Sequence, residues 1–199
     1  MNHEVGFQVP DDNRFCMINS MKARGCSFAV LVLFFAFAFS QGAAFAADPS
    51  YPDSTAGLQK LIEDTLVAVK AGDKEKTVAF VKAMVLPDQE SWFKKTFGDE
   101  KGKTLSASFN KISGTLETEL PKIFEKQLNE GRSVVRATRV DSEDDENATG
   151  LQKSALKAMK EKTPLYSVRI STEPDKDGFR LWSFVYVDGH FRFVDKLRG

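Results

Sequence analysis

The dipeptide Asp188-Gly189 stands between two runs of β-branched and aromatic residues, and it constrains the fold more than any other feature of the chain. Asp-Gly suits a two-residue hairpin turn, whose central residues both take positive φ and whose flanking strands are locked in one register. That register sets Val187 opposite His190, Tyr186 opposite Phe191, Phe184 opposite Phe193 and Trp182 opposite Asp195. The last three pairs share one face, which is therefore aromatic. The other face pairs Val185 with Arg192, Ser183 with Val194 and Leu181 with Lys196, and is mixed. If the preceding turn keeps parity, Tyr166, Val168 and Ile170 join the aromatic face.

An apolar sheet face must be covered, and the first half of the chain supplies helices to do it. Leu58, Leu61, Ile62, Leu66 and Val69 recur at helical spacing, with Ser54 or Thr55 to cap the start and Gly72 to stop it. Asp73 can cap a second helix carrying Val78, Val81 and Val85, and residues 88–97 form a short third helix that stops at Gly98. A longer apolar pattern runs through Leu105, Phe109, Ile112, Leu116, Leu120, Ile123 and Leu128, and Pro121 should kink or divide it. Strands are expected over residues 132–140, 165–171, 179–187 and 190–197, with a short helix around Leu151, Leu156 and Met159. The fold class is α+β: N-terminal helices packed on a curved antiparallel sheet of about four strands.

The start of the chain reads as a leader. Residues 21–25 are short and positive, residues 26–40 are apolar, and Ala44-Phe45-Ala46 has the small-x-small form of a signal peptidase site. Residues 1–46 are thus expected to be a leader, with the true start at Met17 or Met21, and residues 47–199 a single domain that is periplasmic or secreted. Both cysteines, Cys16 and Cys26, fall in that leader, so the mature chain would hold no disulfide, thiolate metal site or cysteine nucleophile, and its one histidine, His190, cannot by itself make a metal site. No metal and no cofactor is expected. Lys plus Arg and Asp plus Glu each number 28, with three of each sign in the first 46 residues. This balance gives no electrostatic case for nucleic acid, or for a membrane surface once the leader is removed.

The stretch Leu181-Trp182-Ser183-Phe184-Val185-Tyr186-Val187-Asp188-Gly189-His190-Phe191-Arg192-Phe193-Val194, preceded by helices, resembles the end of nuclear transport factor 2-like domains. The resemblance implies a cone-like α+β fold in which a bent sheet wraps around helices. In such folds the space between sheet and helices serves as active site, binding pocket or plain core, so function has to be argued from residues.

Asp195 is the candidate catalytic residue: the register puts it beside the Trp182 indole on the aromatic face, where a carboxylate can act as a general base. Tyr166, Arg180, Trp182, Tyr186 and Asp195 are the candidate ligand-binding residues. His190 lies beside the turn on the mixed face and carries no nucleophile-elbow motif with it. The acidic loop at residues 141–147 lacks the central glycine and distal glutamate of a calcium hand; the turn at residues 173–178 comes nearer, with Gly178 in sixth place, but its twelfth position is Phe184. Asn147-Ala148-Thr149 is a glycosylation sequon. These residues lead to an exported binding or accessory domain that takes a small apolar ligand or a second copy of itself. Two alternatives stand: a cofactor-free isomerase or hydrolase of a small hydrophobic substrate, using Asp195 and a tyrosine, and a structural envelope protein.

Overall fold

The computed structural model describes residues 50–198. The leader, both cysteines and the expected cleavage point lie outside the described residues. Five helices come first: α1 (Thr55–Lys70), α2 (Lys74–Met84), α3 (Gln89–Phe97), α4 (Asp99–Ser113) and α5 (Leu116–Asn129). Then follow β1 (Val134–Val140), α6 (Gly150–Ala158), β2 (Leu165–Ser171), β3 (Phe179–Val187) and β4 (His190–Phe193). The strands form one antiparallel meander in the order β1-β2-β3-β4, so the chain is α+β as expected.

Local chemistry sets most of the helix ends. Ser54 accepts a hydrogen bond from the Gly57 amide at 3.0 Å and Asp73 one from Lys76 at 3.0 Å, each satisfying a free donor of a first turn. Thr149 and Gln152 close a reciprocal capping box at the start of α6. The long apolar pattern does divide, but at Ser113-Gly114-Thr115 and not at Pro121, which lies inside α5. The reason is competition for the backbone: the Thr115 hydroxyl donates to the Ile112 carbonyl at 2.9 Å, and glycine is a poor helix former. With the helix restarting at Leu116, Pro121 sits in its second turn and withholds only one backbone bond.

Asp188 (φ 50°) and Gly189 (φ 79°) both adopt positive φ, and β3 and β4 pair Val187 with His190, Tyr186 with Phe191, Val185 with Arg192 and Phe184 with Phe193, as the turn dictates. The expected partnership of Trp182 with Asp195 is not made. Strand β4 stops at Phe193, and Asp195 (φ 55°) and Leu197 (φ 49°) turn the chain away. A second departure lies between β2 and β3. Tyr166 pairs with Phe184 but Val168 pairs with Leu181, so β3 spends one extra residue over that interval. This bulge exchanges the two faces of β3 below it. Leu181, and not Trp182, thereby faces the helices beside Val168, and Phe179 does so beside Ile170.

One face of the sheet therefore presents Tyr166, Phe184, Phe191 and Phe193 to the helices, all buried, and Tyr186, half-buried. Phe191 meets Tyr166 edge-on at 5.2 Å and Tyr186 at 4.9 Å, and Phe184 meets Phe193 at 5.2 Å. Each such pair adds roughly 0.5–1.5 kcal/mol beyond its area. Helix α1 packs on β1 and β2, α2 on β4, and α1, α2 and α5 pack on one another. On the second face Val140, Leu165 and Val185 are fully buried in the same core as Leu156 and Met159, whereas Arg136 is exposed and Arg169 and Arg180 are half-buried. That face is covered at one end only.

The segment ahead of α1 ties down the aromatic face. The Tyr166 hydroxyl donates to Asp53 Oδ1 at 2.6 Å and accepts from Arg139 Nη1 at 3.0 Å. The Tyr186 hydroxyl donates to the Tyr51 carbonyl at 2.8 Å, and the Tyr51 hydroxyl donates to Asp64 at 2.9 Å. Burial, then the adjoining carboxylates, push Tyr166 and Tyr51 well above the usual phenol range.

Two predictions follow from this geometry. Alanine normally stabilises a helix relative to glycine by about 1 kcal/mol, and Gly114→Ala, whose added Cβ meets nothing at a right-handed φ of −65°, should raise the urea midpoint. Gly57→Ala should lower it instead, because its Cβ would stand 2.0 Å from the Pro52 carbonyl oxygen and displace the tying segment. Titration gives the second. A phenol whose folded pKa is raised contributes stability that is intact below its unfolded value near 10 and is lost as pH rises towards the folded value. Stability measured by urea unfolding should therefore fall above about pH 10, and a Tyr51→Phe, Tyr166→Phe double variant should flatten that fall.

Candidate functional site

The five candidate ligand residues separate into two groups. Arg180, Trp182 and Asp195 line one groove of about 460 Å3, between the α4–α5 elbow and the lower end of β3. Its apolar wall is Ile112, Leu116 and Ile123 on the helical side and Phe179, Trp182 and Phe193 on the sheet side. The groove exists because β4 ends early, leaving the lower part of β3 without a neighbour on that edge, and because the bulge turns Leu181 inward. Trp182 is half-buried, with the Arg180 guanidinium and the Lys196 ammonium each 5.5 Å from its ring centre. Two cations on one indole hold its ring in place. Lys196 thus takes the position beside Trp182 that the sequence register assigns to Asp195.

Asp195 accepts no hydrogen bond from any described residue. It also lines a smaller cavity of about 200 Å3 with Phe93, Phe109 and Leu197. Tyr166 and Tyr186 belong to neither space. Their hydroxyls are held by Asp53, Arg139 and the Tyr51 carbonyl, and their rings fill the core. The structure therefore does not bring Asp195 and a tyrosine together as an acid–base pair. His190 pairs with Val187, and its Nδ1 is buried without a hydrogen bond among the described residues.

A second, polar depression of about 300 Å3 occupies the uncovered end of the other sheet face, lined by Arg136, Thr138, Asn147, Ser167, Arg169 and Arg180. Sheet register builds it: Arg136 pairs with Arg169, Arg169 with Arg180, and Thr138 with Ser167. Of the three arginines, Arg136 reaches Asp175 at 3.1 Å and Arg180 lies over Trp182, while Arg169 has no acidic partner among the described residues. Arg136, Arg169, Thr138 and Ser167 went unnoticed in the sequence. Their signal is the alternation Arg136-x-Thr138 and Ser167-x-Arg169 in adjacent strands, which becomes one surface only when the register across the β1–β2 connection is known.

The acidic loop is engaged locally. Asp141 pairs with Arg139 at 2.8 Å and Glu143 with Lys162 at 3.5 Å. The Asn147 backbone amide lies 2.8 Å from Asp145 and its side-chain amide 3.1 Å, and these bonds hold the Asp145 carboxyl below its usual value. No three His, Cys, Asp or Glu side chains gather as a metal-ligand group among the described residues, and no helix there is long and apolar enough to cross a membrane. The chain matches no protein-family model, no curated protein and no solved structure.

Proposed function

We propose that the protein is an exported, non-enzymatic binding or accessory domain that takes a small apolar ligand in the groove between the α4–α5 elbow and the lower end of β3. The observation that carries this reading is the groove itself. About 460 Å3 of mainly apolar wall with Trp182 braced in it falls within the size of ordinary small-molecule sites, with Arg180 and Lys196 at the rim to orient a polar group. The export part rests on the leader motif in the sequence. A relation to the nuclear transport factor 2-like superfamily belongs to the same proposal; the four-stranded meander ending in an aromatic hairpin favours it. The isomerase or hydrolase alternative loses its acid–base pair, since the groove that Asp195 lines contains neither tyrosine.

The neutral fluorophore N-phenylnaphthylamine tests the reading through energy transfer from tryptophan. Trp92 and Trp182 are the only two indoles. Trp92→Phe should keep the transfer and Trp182→Phe should abolish most of it. Ile123→Ser, at a partly buried wall position, should weaken binding about tenfold by removing apolar contact. Binding that is indifferent to Ile123→Ser, or transfer that survives Trp182→Phe, counts against the groove.

A further inference from the structure

We infer that the uncovered end of the second sheet face is a binding site for a small ligand carrying two or more anionic oxygens, a separate depression that shares only Arg180 with the apolar groove. Three arginines lie in direct cross-strand register, Arg136 beside Arg169 and Arg169 beside Arg180. Like charges placed directly opposite each other weaken a sheet, so the row costs stability unless an anion joins it. No carboxylate lines the depression. The anion nearest to serving is Asp175, which meets Arg136 with 90% of its own side chain exposed and is free to give way. Arg169, in the middle of the row and half-buried, has no acidic partner among the described residues.

The remaining lining also consists of donors. Neither the Thr138 nor the Ser167 hydroxyl is bonded to another described residue, and both stand two pairs along the same two strands from Arg136 and Arg169, on the same face. Ser167 is 7% exposed, so its hydroxyl is available only from the depression. Asn147 adds the second hydrogen of its side-chain amide from the loop above, the first being given to Asp145. Guanidinium groups present paired N–H donors in a plane, the geometry that binds carboxylate and phosphate oxygens two at a time. Three such groups with two hydroxyls match a compact polyanion better than a single charge. About 300 Å3 admits a diphosphate or a tricarboxylate and not a folded macromolecule.

Calorimetric titration of the purified full chain with sodium phosphate, pyrophosphate and citrate at low ionic strength tests this. Pyrophosphate or citrate should bind at least tenfold tighter than phosphate, and the preference between them identifies a phosphorylated or a polycarboxylate ligand. Binding should weaken as sodium chloride is raised. Arg169→Gln should lose tenfold or more in affinity, whereas Asp175→Asn should bind as well as the unaltered protein or better. A melting curve of Arg169→Gln keeps loss of folding apart from loss of binding, and Ser167→Ala supplies a second variant expected to weaken binding. The inference is overturned if none of the three anions binds up to millimolar concentration, if Arg169→Gln and Ser167→Ala both bind unchanged, or if an oligonucleotide binds through Arg169 where the small anions do not.

Discussion

Cross-strand register at the β3–β4 hairpin decides which side chains the helices can cover. Two residues with positive φ, Asp188 and Gly189, align Tyr186 with Phe191 and Phe184 with Phe193. Those four rings and Tyr166 make two edge-on groups, Tyr166–Phe191–Tyr186 and Phe184–Phe193, on the face that α1 and α2 cover. Truncating a buried Phe in such a group typically costs about 3–5 kcal/mol. Everything on the far side of the sheet follows from the same alternation: once the rings point to the helices, their neighbours along each strand point the other way.

The bulge in β3 changes that alternation partway along the strand. Above it the aromatic face is Phe184 and Tyr186; below it the face continues through Leu181 and Phe179. This shift puts Trp182 at the surface between two cations and aligns Arg180 with Arg169 and Arg136. One irregularity thus shapes both the apolar groove and the arginine row, and Arg180 lines both. The helices fill the space between themselves and the sheet with aromatic rings. The apolar groove and the arginine-lined depression therefore lie at the sheet's lower edge and on its uncovered face.

The hairpin, its register and the caps at Ser54 and Asp73 were legible in the sequence because each depends on residues close together in the chain. The site was only partly legible. Arg180, Trp182 and Asp195 do line one groove, but the sequence register extends β4 two residues beyond Phe193 to set Asp195 opposite Trp182, and positive φ at Asp195 prevents that pairing. The sequence offers Tyr166 and Tyr186 as ligand-binding candidates, whereas their rings pack in the core. Their partners, Asp53 and Tyr51, lie more than a hundred residues away and carry no local pattern that announces them. The arginine row was missed for the same reason: it joins three strands across connections whose lengths do not fix a register, and across a bulge that no residue in β3 signals.

The arginine row sacrifices folding stability to present charge, and urea unfolding of Arg169→Gln at low and at high salt measures this most directly. Relief of repulsion between Arg169 and its two cross-strand neighbours predicts a variant at least as stable as the unaltered protein at low salt, with the difference shrinking at about 1 M sodium chloride, where screening acts within roughly 3 Å. A loss of more than about 1 kcal/mol at both salt concentrations would contradict the claim and make Arg169 a structural residue held by packing of its stem.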